Sequence, residues 1–249
     1  MGAKQAAELA YAVHPRVVVK YVGQLCLLLA ALSVVPLLAS LWFGSGVFAL
    51  RCALVIGVLV AGGAWLARLP GAGQIQTNEA LVIVGLIFVL APLAMAYPMT
   101  ASGLPFLDMF FEAVSAVTTT GLTITSGAEE KVAVILFLRA FMQWCGGLGF
   151  VVFSLALVMR PGLAARQLSG RTPEDDDLVG STRAHARIVL AVYCILTAVG
   201  IVLLLAAGQR VFPAVIHTFA AVSTGGFSDR THSKHLPELR ERWQPKKAD

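Results

Sequence analysis

Charge is what this sequence has least of. Only 13% of its 249 residues are Asp, Glu, Lys or Arg, where a water-soluble domain carries about a quarter. So few charges cannot cover a globular surface, which excludes an ordinary soluble enzyme or a nucleic-acid-binding domain. The four cysteines, Cys26, Cys52, Cys145 and Cys194, form no CxxC pair and no secreted-scaffold spacing. Each lies in an apolar stretch and reads as a small core hydrophobe, not as part of a disulfide framework. The parts of an intramembrane enzyme are missing as well: there is no HExxH, no pair of aspartates inside the apolar runs and no Ser/His constellation among them. His14, His185, His232 and His235 have no metal-ligand spacing. The expectation is a non-enzyme without a cofactor.

What is present is apolar length. Hydrophobic residues make up 57% of the chain, and the mean hydropathy is +0.78. Five stretches, about 21–43, 47–66, 80–97, 132–159 and 188–207, reach the roughly 20 residues that a helix needs to cross a bilayer. Pro92 is a candidate kink in the third. The fourth holds Arg139, Gln143 and the glycines Gly146, Gly147 and Gly149. No stretch has the form of a cleaved signal peptide. Lipid is therefore part of this protein's solvent.

Two further apolar stretches, 105–118 and 212–222, are only about three turns long, and each has a proline at or near its start. Neither can cross a bilayer as a helix. Each runs into a string of Thr, Ser and Gly too polar to face lipid, the sequence form of a re-entrant loop. The expected fold is thus an all-α integral membrane protein, with about five transmembrane helices and two re-entrant loops.

The basic residues set an expected orientation. With the N-terminus in the cytoplasm, nine lie inside (Lys4, Arg16, Lys20, Arg68, Arg160, Arg166, Arg171, Arg183 and Arg187) and three outside (Arg51, Lys131 and Arg210). Both re-entrant loops then enter from outside. The run Glu174-Asp175-Asp176-Asp177 reads as a solvated acidic turn, with a regulatory-subunit contact as the other reading.

The two loops superimpose at an offset of 105 residues. Ala116-Val117-Thr118-Thr119-Thr120-Gly121-Leu122-Thr123 falls on Ala221-Val222-Ser223-Thr224-Gly225-Gly226-Phe227-Ser228, with four identities and three exchanges of like for like. An internal repeat of this sort places a site on a pseudo-symmetry axis. The residue types suit a desolvated alkali cation, whose water shell must be replaced by oxygens. Backbone carbonyls supply these without fixed charge, and the Thr and Ser hydroxyls either add oxygens or tie the strand to its surroundings. Gly121 and Gly226 allow backbone geometry that a Cβ resists. The candidate filter is therefore Thr118, Thr119, Thr120 and Gly121 together with Ser223, Thr224, Gly225 and Gly226.

Other polar residues keep two readings each. Arg139 is either a functional intramembrane charge or a long side chain reaching the interface. Asp108 and Glu112 share a helix face. They either enrich cations at the external mouth or, for Asp108, complement the helix N-terminus. His217, at the position of Glu112 in the second repeat, reads as a polar helix residue before a ligand. Gly146, Gly147 and Gly149 allow close approach of helices or of the filter strand, or else form a flexible gate.

The strings FFEAVSAVTTTGLT (110–123), QWCGGLGFVVF (143–153) and HTFAAVSTGGFS (217–228) resemble the Trk/Ktr/HKT superfamily of potassium transporters, specifically its bacterial TrkH-type subunit. The resemblance covers about residues 15–228. It implies span–pore–span repeats around one cation pathway, with Gly121 and Gly226 as the first and second filter glycines. It also implies potassium as the transported ion, a multi-pass protein of the bacterial cytoplasmic membrane, and a homodimer working with a cytosolic nucleotide-binding subunit of the TrkA/KtrA type. The expected organisation is a cytoplasmic N-terminus (1–20), a leading helix pair (21–67), a first repeat (80–160), a cytoplasmic loop (161–187), an incomplete second repeat (188–228) and a polar basic tail (229–249). That tail carries six basic residues and cannot form a span. The chain therefore reads as the truncated N-terminal half of a four-repeat transporter. The other reading is a non-conducting membrane fragment that acts only by assembly with other chains.

Overall fold

The computed structural model describes residues 14–70, 77–124, 133–158 and 176–226. Glu174, Asp175, Lys131, the basic residues at 160–171 and the 229–249 tail lie outside the described residues. Seven α-helices occur among those described: α1 Pro15–Trp42, α2 Gly46–Ala67, α3 Thr77–Met99, α4 Phe106–Val117, α5 Ala133–Val158, α6 Asp176–Ala206 and α7 Val211–Val222. Five of them, α1, α2, α3, α5 and α6, are long and apolar enough to cross a membrane. The other two are 12 residues each.

Each boundary has a local cause. Pro15 opens α1, where a missing N–H costs nothing, and α1 ends at Gly44 in the left-handed region (φ 68°). The chain turns back at once, and α2 packs along α1. The backbones meet at two glycines: a Cβ on Gly23 would lie 2.9 Å from the Gly63 carbonyl oxygen, and one on Gly63 2.9 Å from that of Gly23. Small residues at such a crossing allow dispersion contact between helices that lipid does not drive together. Prolines 92 and 98 sit inside α3, both buried. A short 3₁₀ turn, Thr100–Ser102, and Gly103 (φ 85°) then redirect the chain into α4. Arg51 closes this corner, with its guanidinium 5.5 Å from the centre of the Tyr97 ring and a hydrogen bond to Thr100 Oγ1.

The fifth span, expected at about 188–207, is found at Ala186–Ala206, and the helix that carries it runs from Asp176. An apolar run marks where a helix meets hydrocarbon, not where its hydrogen-bonded ladder begins. The stretch 176–187 is therefore helical, and the acidic run ends inside a helix rather than in a turn.

The centre of the molecule is α5. Of its most apolar window, 56% is buried, against 11–28% for the other four long helices. It packs against α1, α4, α6 and α7. On one side Val134, Leu138 and Met142 meet Met95, Met99, Met109 and Ala113 in a single apolar cluster. On the other, Phe219 of α7 lies among Phe137, Phe141 and Trp144, at centroid distances of 6.3, 6.4 and 5.5 Å. Trp144 donates from Nε1 to Thr197 Oγ1 (3.0 Å), and Tyr193 donates from its hydroxyl to the Trp144 carbonyl (3.0 Å). These bonds tie α5 to α6. The outward faces carry Leu38, Val58, Trp65, Val202 and Leu203, all exposed, as lipid contact requires. Cys26 and Cys52 are buried, while Cys194 is exposed on α6 and belongs to that apolar surface, not to the core; all four thiols are free.

Candidate functional site

The two short helices end in the same way, residue for residue. In α4 the cap Thr118 has φ −82° and ψ 3°, and in α7 the cap Ser223 has φ −83° and ψ −3°. The next residue is a threonine in the left-handed region in both, Thr119 and Thr224, each with φ 56°. Two residues further, Gly121 and Gly226 have φ 76° and 75°. The backbone hydrogen bonds match too. Thr119 N–H donates to Ala116 O (3.0 Å) and Thr120 N–H to Ser115 O (2.9 Å); Thr224 N–H donates to Ala221 O (3.1 Å) and Gly225 N–H to Ala220 O (2.8 Å). This is the Schellman closure of a helix C-terminus, with a β-branched residue where glycine is usual.

The cap hydroxyls tie the loops to their helices. Thr118 Oγ1 donates to Val114 O at 2.8 Å, and Ser223 Oγ to Phe219 O at 2.7 Å. Thr120 and Thr118 hydroxyls lie 2.7 Å apart, and because the Thr118 proton is already engaged, Thr120 is the donor. Ser115 Oγ donates to Leu122 O (2.7 Å). Ser115 drew no notice in the sequence, where a serine inside an apolar helix carries no signal of its long-range role. Thr118, Thr120, Thr224 and Gly226 are exposed, Thr119 and Gly121 half-buried, and Ser223 and Gly225 buried.

The structure brings the two loops together. A Cβ on Gly121 would lie 2.1 Å from the Gly225 carbonyl oxygen, so the backbones touch where neither could carry a side chain. Against both packs α5, with Arg139, Gln143, Gly146 and Gly147 along one stripe, the i, i+4, i+7, i+8 face of a helix. A Cβ on Gly146 would meet Val117 O at 1.9 Å, and one on Gly147 would meet Ser223 Cβ at 2.9 Å. Adjacent glycines thus each seat the end of one short helix. Gly149 has nothing within 4 Å and takes no part.

Glu112 and Arg139 are not an acid at an open mouth and a charge reaching the interface. They form a pair, Arg139 Nη2 to Glu112 Oε2 at 2.9 Å, with side chains 4% and 1% exposed. The other carboxylate oxygen, Oε1, accepts from Thr123 Oγ1 (2.5 Å) and from Ile124 N–H (3.0 Å). The carboxylate therefore pins the chain leaving the first loop to α4, and Arg139 neutralises it. Two buried charges persist only when paired and hydrogen-bonded in this way. His217, at the equivalent place in α7, lies 3.2 Å through Nδ1 from Gln209 Oε1 instead. Asp108 lies in the first turn of α4, where a carboxylate complements the helix dipole.

Gln143, a polar residue of the fourth stretch, has no role legible in the sequence. It is fully buried and donates from Nε2 to Gly225 O at 2.7 Å. Its spacing from Arg139 and from the glycine pair was the available signal.

The family model for TrkH, a cation transport protein, matches residues 47–234. This chain belongs to the TrkH family. It is 29% identical over 231 residues to the Trk system potassium uptake proteins TrkG and TrkH of Escherichia coli (strain K12), covering 90% of this chain and 47% of each of those proteins. The crystal structure of the potassium transporter TrkH from Vibrio parahaemolyticus matches with a TM-score of 0.70 at 30% identity, over 88% of this chain and 45% of that one. The chain therefore spans about half the length of the curated relatives it matches. It is a membrane protein of a cation-transporting family, all-helical in its described residues.

Proposed function

We propose that this chain forms part of a potassium-uptake pathway in which the ion exchanges part of its hydration shell for backbone carbonyls of the loops 118–121 and 223–226. The observation that supports it is the pair of juxtaposed loops with one backbone, down to a threonine at φ 56° in each. Uncharged carbonyl oxygens hold a monovalent cation firmly enough to admit it and weakly enough to release it. The hydroxyls of Thr118 and Ser223 are engaged with helix carbonyls, so main-chain oxygens are the ligands in this reading. The relatives named as potassium uptake proteins supply the ion's identity. The chain spans about half their length, and in this reading its two loops are part of the lining.

In the same reading the loops are re-entrant, the N-terminus is cytoplasmic and the membrane is the bacterial inner membrane. The working assembly is a lipid-embedded homodimer with a cytosolic nucleotide-binding subunit of the TrkA/KtrA type. Orientation is tested by cysteine labelling. A cysteine at Ser102 should react with an impermeant thiol reagent outside intact cells, and one at Ser169 only after the membrane is opened.

The transport test fuses this chain ahead of the part of Vibrio parahaemolyticus TrkH that lies beyond the matched region, in cells deficient in potassium uptake. Rubidium uptake competed by potassium and not by sodium is expected, with Gly121→Ser raising sodium competition. A fusion whose competition profile is unchanged by both Gly121→Ser and Gly226→Ser removes the loops from the pathway. A membrane-inserted fusion without uptake favours a chain that acts only by assembly.

A further inference from the structure

The two loops share a backbone and are locked differently. In the first the lock is internal, running from the Thr120 hydroxyl to that of Thr118 and on to the Val114 carbonyl. In the second, Gly225 stands where Thr120 stands and has no side chain to lock with. Its place is taken from outside by Gln143 of α5, whose amide donates to the Gly225 carbonyl at 2.7 Å. A Cβ on Gly225 would lie 2.3, 2.5 and 2.6 Å from the Gln143 Cδ, Nε2 and Oε1 atoms. Gly225 is not among the residues with positive φ, so backbone conformation does not call for glycine there. The space occupied by Gln143 does.

We infer that Gln143 is the positioning residue of the second loop, filling the room of the missing side chain and fixing the direction of the Gly225 carbonyl. That oxygen sits between the Gln143 amide and Gly121, so the two loops offer unequal sets of carbonyls to an ion. Gln143 acts through Gly225 and does not itself meet the cation. Its part in cation preference rests on the proposed transport reading; its contact with the loop does not.

The test uses the full chain in lipid nanodiscs. Gln143→Leu keeps most of the volume and removes the donor. Loss of one buried hydrogen bond speeds amide exchange at Thr224 and Gly225 by about tenfold, with Thr119 and Thr120 as in the parent. Gly225→Ala lowers the melting temperature in the parent and lowers it less in a Gln143→Ala background, because the methyl then has room. Parent-like exchange in Gln143→Leu, or equal effects of Gly225→Ala in both backgrounds, overturns the contact. A role in cation preference is read by repeating the exchange, in potassium and in sodium chloride, on the fusion with the remainder of Vibrio parahaemolyticus TrkH, where the rest of the lining is present. Slower exchange of the second loop in potassium is expected for the parent and is lost in Gln143→Leu; its persistence there overturns the specificity role. A parent with no difference between the salts at either loop counts against the transport reading, and the exchange and size-swap results then still decide the contact.

Discussion

A threonine at φ 56° is an uncommon thing to find once, and the same conformation recurs at Thr119 and Thr224. For a β-branched residue the left-handed region costs about 1–2 kcal/mol, which the closing hydrogen bonds of the helix ends hold in place. Thr119→Gly should therefore raise stability by about 1 kcal/mol, the relief of strain less the extra flexibility of glycine. Thermal unfolding in nanodiscs measures this, and a fall in melting temperature would show that the threonine side chain supports the loop. At Glu112 and Arg139 the sign is opposite. Removing either charge strands the other, and Glu112→Gln or Arg139→Met should cost about 3–5 kcal/mol. The double replacement by leucine should recover most of that loss, which a double-mutant cycle reads directly. The Thr/Gly strings were legible in the sequence because a repeated glycine marks a repeated backbone demand. The ion pair was not, since its members lie 27 residues apart and only the packing of α4 on α5 shows that they meet.

Among the elements, α5 decides the site. Its length and apolar character were plain from the sequence, as were those of the other four long helices, because lipid imposes a minimum run. The start of α6 was not, because polar residues continue a helix without leaving an apolar trace. Which face of α5 looks inward was half legible: Arg139, Gln143, Gly146 and Gly147 fall on one stripe, and the first two are out of place facing lipid. The glycines make a sharp contrast. Gly146→Ala forces a methyl toward a carbonyl oxygen at 1.9 Å and should cost about 1–3 kcal/mol through displacement of α4. Gly149→Ala, with open space around it, should be neutral or favour the helix slightly. Equal melting temperatures for the two variants would mean that α4 does not seat on Gly146.

For the whole molecule, the chain covers 45% of the potassium transporter whose structure it resembles, and in the proposed reading its two loops supply only part of the coordination an ion meets. The chain alone in liposomes should give no selective potassium flux under an imposed voltage, because the remaining coordination is left to water and selectivity loses its basis. Selective flux would point to copies of this chain assembling a pathway between them. The arrangement of α5 also has an evolutionary consequence. Arg139 anchors the element that carries the first loop, Gln143 holds the second, and neighbouring glycines seat both. Substitutions at 118–121 and at 223–226 therefore share a supporting helix that belongs to neither segment. Their effects are expected to be epistatic, so that a change tolerated in one loop depends on the residue in the other, and the paired segments are constrained to diverge as a unit.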